Sequence, residues 1–254
     1  VNTPSPTTLG VIGLGSMGMG AARSALRRGL TTWGCDPNPT ARETFGQAGG
    51  RAVLHPAELA PHCDVVLVLV VNAAQTEPVL FGDNGLVPGL RRGAVVIASA
   101  TVDPALPEQW EARLAEPGIL LTDGPVSGGA KKAAEGQMTV MASGSDAAFT
   151  AADAALQAIA GKVYRLGDRA GVGSTVKMVN QHLAGVHIAT ACEAMALGIK
   201  AGADPRQLYE VICNSAGMSW MFENRVPHIL DGDDTPLSAV NIFVKDLGLV
   251  LDMA

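Results

Sequence analysis

The chain has 254 residues, 48% of them hydrophobic, 17% charged and 4% aromatic. Eighteen Lys and Arg stand against 24 Asp and Glu, a net charge of −6. Apolar content this high excludes a disordered polymer, and the acidic balance argues against nucleic acid or an anionic membrane as partner. A chain of this length has room for one or two domains. Its richness in Ala, Gly and Val suits helices packed on a parallel sheet better than a β-sandwich.

Val1-Asn2-Thr3-Pro4 has no basic region followed by an apolar core, so no secretory leader is expected. Residues 9–13 read as a short buried strand. Residues 16–28 read as a helix ended by Gly29, 31–35 as a second strand, and 40–47 as a second helix after the turn Asp36-Pro37-Asn38-Pro39. The run 64–71, which contains the longest apolar stretch, 65–71, has the continuous β-branched character of a strand buried on both faces. At seven residues that stretch is too short to span a bilayer. Further strands are expected at 94–98, 118–121, 138–142 and 162–165. Strands alternating with helices imply a doubly wound, mostly parallel sheet.

Beyond about residue 171 the rhythm changes. Residues 172–200 contain no proline, and before Lys200 their only formal charges are Lys177 and Glu193. This predicts one long helix, apolar nearly all round and therefore buried. Asp204-Pro205 signals another helix start, and helical segments are expected at 207–214 and from 238 to the end. The expected domains are 1–170, an α/β sheet, and 171–254, all-helical. The chain stops inside a helical pattern, so the natural protein is expected to continue.

Cys35, Cys63, Cys192 and Cys213 form no Cys-x-x-Cys, which offers neither a disulfide framework nor a zinc site. A reducing cytoplasm is the expectation. The five histidines show no metal-ligand spacing, so no metal is expected.

Gly13-Leu14-Gly15-Ser16-Met17-Gly18 is a Gly-x-Gly-x-x-Gly between the first strand and the first helix. Its glycines permit a tight turn, close approach of backbone to a pyrophosphate, and close packing of helix on strand. Asp36 closes the second strand 18 residues after Gly18, where a carboxylate can accept from a ribose hydroxyl. Together they predict a Rossmann-type dinucleotide site. The carboxylate repels a 2′-phosphate, so NAD is expected over NADP. Asn72 and Ser99-Ala100-Thr101 end later strands and face the ligand crevice, either lining the cofactor or serving as ordinary turn residues. In Asp123-Gly124-Pro125-Val126-Ser127-Gly128-Gly129, Ser127 offers a hydroxyl, and Gly128 and Gly129 offer N–H groups suited to a carboxylate. Lys177 lies in the first turns of the apolar helix, with Asn180 and Gln181 at i+3 and i+4 on its face. Desolvation can lower an amine's pKa into a useful range for acid/base work; the alternative is a lysine that snorkels to the surface. Lys245-Asp246 reads either as a surface ion pair or as a second cation at the site.

Taken together these segments resemble the β-hydroxyacid dehydrogenase family, related to 3-hydroxyisobutyrate dehydrogenase. The glycine-rich turn, the Asp-Gly-Pro-Val-Ser-Gly-Gly loop, Gly171 through Asn180, and Lys245-Asp246-Leu247 match its signatures in order and separation. The resemblance implies a Rossmann domain followed by a helical domain of the 6-phosphogluconate dehydrogenase type. It implies Lys177 as catalytic acid/base, and Ser127, Gly128 and Gly129 as holders of the substrate carboxylate. Asn180 or Gln181 would contact substrate, and Thr101 and Lys245 would lie near the cofactor. Segments 69–75, 138–146 and 219–225 are similar to the branch that oxidises a four-carbon sugar acid, L-threonate, with NAD. A sister activity on 3-hydroxyisobutyrate or tartronate semialdehyde is the alternative. An imine reductase would be expected to carry Asp or Tyr at 177, and a non-enzymatic NAD-binding module would be expected to lose the lysine. The resemblance also implies a homodimer or homotetramer acting on a small hydroxy acid.

Overall fold

The computed structural model describes residues 7–233, 235 and 240–254. In chain order its elements begin β1 (Thr8–Ile12), α1 (Ser16–Arg27), β2 (Thr31–Cys35), α2 (Pro39–Gln47), β3 (Arg51–Val53) and α3 (Pro56–Leu59). Next come β4 (Val65–Val68), α4 (Ala73–Phe81), β5 (Val95–Ala98), α5 (Ala105–Ala115), β6 (Leu120–Asp123), β7 (Val126–Ser127), α6 (Gly129–Glu135) and β8 (Met138–Ser143). The remainder is α7 (Asp146–Ile159), β9 (Ala160–Gly167), α8 (Val172–Lys200), α9 (Pro205–Cys213), α10 (Trp220–Asp231) and α11 (Val240–Met253).

The strand order is β3-β2-β1-β4-β5-β6-β8-β7, with β9 also paired to β8. The first six strands of that path are mutually parallel. β8 runs antiparallel to β6 and β7, and β9 parallel to β8. The path reverses between β1 and β4, and ligands of doubly wound sheets bind outside the strand ends at such a switch point.

Alternation along the central strands explains the two cores. Leu9, Val11, Val65, Leu67, Val95 and Ile97 pack on one face with Ala21, Ala22 and Ala25 of α1 and Phe149, Ala152 and Leu156 of α7. Ile12, Val66, Val68, Val96 and Ala98 pack on the other with Leu80 of α4 and Trp110 and Leu114 of α5. Successive side chains point to opposite faces, so a strand covered on both sides reads as an unbroken apolar run. The strand expected at 64–71 is shorter, Val65–Val68, and Asn72 beyond it accepts from Gln75 N–H to cap α4. Cys35 and Cys63 are buried thiols, each pushed up to about 12 chiefly by desolvation.

α1 lies backbone to backbone against α6. A Cβ at Gly20 would come within 2.6 Å of Ala134 N. Ser24 Oγ, beside it, donates to Ala158 O at 2.8 Å in a buried site.

The chain divides into two compact units between Lys177 and Met178, inside α8. In the second unit Ala191, Met195, Phe222 and Val226 form a small core with Leu208, Tyr209 and Ile212 against it. Asp204 caps α9 by accepting from Arg206 and Gln207 N–H, and Pro205 takes the first helical position. The helix α10, capped by Ser219, was not foreseen. Pro227 interrupts its pattern and hides it from a reading that treats proline as a breaker. The expected last helix is α11; residues 238 and 239, where it was to begin, lie outside the described residues.

One expectation is corrected. α8 is not buried all round: Val179, Leu183, Val186 and Leu197 are exposed among the described residues. A helix apolar on every side needs cover on every side, and here cover reaches Met178, Ala184, Ala191 and Met195. α8 is long and apolar enough to cross a membrane by length and composition alone, a test that the core helix of a soluble protein also passes.

Candidate active site

The glycine-rich turn joins β1 to α1. Gly13 has φ +91°, and its N–H continues the ladder by donating to Cys35 O at 2.9 Å. A Cβ at Gly18 would stand 1.7 Å from Gly13 O, so helix and turn meet there with no room for a methyl group. At Gly15 a Cβ would meet nothing within 4 Å. Gly15 is also the N-cap of α1 and provides no side-chain cap. Open space before uncapped helical N–H groups is what a pyrophosphate requires. Ser16 and Met17 form the first turn of α1, while Leu14 is buried in the core.

Asp36 follows β2, next to this turn. Its Oδ2 accepts from Leu14 N–H at 2.7 Å and its Oδ1 from Asn38 N–H at 2.8 Å. The carboxylate therefore braces the turn, and its remaining lone pairs can accept ribose hydroxyls. Arg42 of α2 donates to the backbone carbonyls of Asp36 and Pro37. The residues fit a dinucleotide of the NAD type. Asn72 Oδ1 caps α4, so the turn role is met, and Thr101 is half-buried just beyond β5. Ser99 Oγ donates to Gly124 O at 2.7 Å.

Gly128 and Gly129 follow Ser127 with φ of +124° and +69°. Both values lie in the region that favours glycine. Lys177 is 7% exposed, so it does not snorkel. Its Nζ donates to Val126 O at 2.8 Å, one residue before Ser127. The amine and the substrate-type loop thus meet within the first unit.

Asp123, at the end of β6, is 1% exposed. Oδ2 accepts from Gly171 N–H at 3.0 Å and Ser174 N–H at 2.8 Å, and Oδ1 from the Ser174 hydroxyl at 2.7 Å. Burial raises its pKa above the ordinary carboxylate range, while the Ser174, Gly171 and Ser143 donors pull the other way.

Within the second unit, Asn180 Nδ2 donates to Gln181 Oε1 at 3.1 Å, and Gln181 Nε2 donates to Asp246 Oδ2 at 2.5 Å. Lys245 Nζ lies 2.6 Å from Asp246 Oδ1. Asp246 is 1% exposed, so Lys245-Asp246 is no surface pair. Sequence reasoning overlooked Asp246 as the hub of these groups. The signal was present: a lone acid among Ile242, Phe243, Val244 and Leu247. Among the described residues no cluster suited to a metal ion occurs.

Two family descriptions together match most of the chain. Residues 8–167 match the NAD-binding domain of 6-phosphogluconate dehydrogenase, and residues 171–254 match the NAD-binding domain of NADP-dependent 3-hydroxyisobutyrate dehydrogenase. The chain belongs to the 3-hydroxyisobutyrate dehydrogenase-related β-hydroxyacid dehydrogenase family. It is 61% identical over 246 residues to L-threonate dehydrogenase of Cupriavidus necator, covering 97% of this chain and 83% of that protein. It is 31% identical over 257 residues to the human mitochondrial 3-hydroxyisobutyrate dehydrogenase, covering 98% and 76%. A crystal structure described as 3-hydroxyisobutyrate dehydrogenase from Salmonella typhimurium matches with a TM-score of 0.92 at 52% identity, covering 98% and 87%. This β-hydroxyacid dehydrogenase is an NAD-dependent oxidoreductase acting on the CH–OH of a hydroxy acid.

Proposed function

We propose that the enzyme oxidises L-threonate to 2-dehydro-L-erythronate, with Lys177 as acid/base. The contact of Lys177 Nζ with the carbonyl beside Ser127, 2.8 Å away, carries the catalytic part of this reading. A substrate carboxylate received by the Ser127 hydroxyl and the N–H groups of Gly128 and Gly129 is held against that amine. The neutral Lys177 amine takes the hydroxyl proton and becomes an ammonium, which stabilises the developing alkoxide as it forms. NAD, when bound, supplies the hydride acceptor. Asn180 and Gln181, oriented through Asp246, are assigned to the substrate's further hydroxyls, and Asn72, Thr101 and Lys245 to the cofactor.

Similarity to the Cupriavidus L-threonate dehydrogenase supports the sugar acid. Similarity to the Salmonella structure described as 3-hydroxyisobutyrate dehydrogenase favours the second reading. NADH formation across C3 to C5 hydroxy acids decides between them. A site that pairs hydroxyls rejects an analogue lacking them by about 10⁴-fold, against about 10- to 200-fold for a missing methylene. L-threonate is therefore expected to exceed 3-hydroxyisobutyrate by far in kcat/KM, and the reverse order overturns the substrate assignment. We place the enzyme in the cytoplasm, as its four free thiols favour. We also take it to be a homodimer or homotetramer, consistent with the exposed apolar side chains of α8.

Asp36 is assigned to the adenosine ribose, and wild type is expected to prefer NAD over NADP. Asp36→Ser removes charge-assisted hydrogen bonds, each worth about 1.5–3 kcal/mol, so NAD efficiency falls roughly 10- to 100-fold while NADP improves. Equal kcat/KM of the wild type with both cofactors contradicts this assignment.

A further inference from the structure

We propose that Asp123 is the positioning residue for Lys177: from the sheet, its carboxylate caps the first turn of α8 and so sets where the lysine amine stands. The proposal rests on the reading of Lys177 as acid/base. α8 follows Gly171 and opens Val172-Gly173-Ser174, so the residue at its N-cap has no side chain with which to satisfy the first N–H groups. The sheet satisfies them instead. Asp123 takes the N–H of Gly171 and of Ser174 together with the Ser174 hydroxyl, and Ser143 Oγ takes the N–H of Gly173 at 2.9 Å. Asp123 and Ser143 are themselves paired across β6 and β8, and Ser143 Oγ donates to Asp123 Oδ2 at 3.3 Å. A carboxylate at this end of a helix also meets the positive end of its dipole.

The geometry closes a frame. Three residues beyond Asp123 lies Val126, and three beyond Ser174 lies Lys177. The Asp123–Ser174 bonds join one pair of corners, and the Lys177–Val126 bond joins the other. Residues i and i+3 share a helix face, so the rotation fixed at Ser174 fixes the direction of Lys177. The strand side is braced by Gly124 N–H to Ala98 O at 2.8 Å and Met141 N–H to Pro125 O at 2.9 Å.

Loss of the cap lets the first turn of α8 shift, and a misplacement of about 1 Å costs about 10²-fold in turnover. Asp123→Ala is therefore expected to lower kcat about 10²-fold with KM for NAD unchanged. Asp123→Asn is expected to recover most of it, because its carbonyl accepts from both N–H groups and its amide donates to Ser174 Oγ. A residue acting through Lys177 has little left to affect once the lysine is gone, so Asp123→Ala is expected to change the residual kcat of Lys177→Ala by less than about twofold. A soluble Asp123→Ala with wild-type kcat, or additive losses in that cycle, overturns the proposal. If Asp123→Ala fails to fold, Ser174→Ala, which removes one bond of the cap, replaces it with an expected kcat loss of about 3- to 10-fold; wild-type kcat there overturns the proposal equally. Full turnover in Lys177→Ala sinks the acid/base reading instead, and so separates the two failures.

Discussion

Lys177→Ala is expected to lower turnover about 10²- to 10⁴-fold, or roughly 3 to 5 kcal/mol, while the NAD dissociation constant stays within about twofold. The loss follows from chemistry rather than packing, because Lys177 is the buried amine that contacts the loop at Val126 O, whereas Lys131 and Lys132 beside the loop are exposed. Lys177→Arg sharpens the test. A guanidinium can keep a hydrogen bond to Val126 O but does not give up its proton, so it cannot act as the base. Both variants are expected to be slow, and an active Lys177→Arg points to charge alone. Steady-state rates with NAD titrated by fluorescence separate the two contributions.

The glycines of the dinucleotide turn are expected to fail in different ways. Gly18→Ala places a methyl 1.7 Å from the Gly13 carbonyl, and backbone must move to admit it. Forced overpacking costs about 1–3 kcal/mol and more when backbone is the obstacle, so this variant is expected to unfold at lower temperature and to bind NAD poorly. Gly15→Ala meets nothing within 4 Å. Its φ of −65° suits alanine, so the cofactor-free protein is expected to melt as wild type does. Its methyl occupies the space assigned to the pyrophosphate, so NAD affinity is expected to fall at least tenfold, or about 1.4 kcal/mol. Melting curves with and without NAD read both effects. Undiminished stabilisation of Gly15→Ala by NAD would falsify the placement of the phosphates.

The strands that carry the site were legible because their patterns are local. An apolar run of β-branched residues between turns announces β4, and Asp204-Pro205 announces α9. The glycine turn, Asp36 and Lys177 were likewise visible as residue types at telling spacings. What escaped depends on partners distant in sequence. Nothing near Asp123 shows that its carboxylate will meet Ser174, 51 positions later. The nearest clue is negative: α8 starts after a glycine and lacks an Asp, Ser or Asn at its cap, so its N–H groups must be met from elsewhere. Asp246 and Gln181, 65 positions apart, escaped for the same reason. The long apolar helix misled because composition reports what a surface can bury against, not whether a covering element is present.

The contact of α1 with α6 bears on how this enzyme can be redesigned. One helix emerges from the dinucleotide turn and the other from the loop of Ser127, Gly128 and Gly129, and at Gly20 they touch without a side chain between them. The two loops are therefore not interchangeable modules. Grafting a foreign substrate loop that alters the seat of α6 displaces the strut behind the nucleotide turn. Specificity can be exchanged cleanly only when the transplanted piece includes the α1 surface that its helix was shaped to meet.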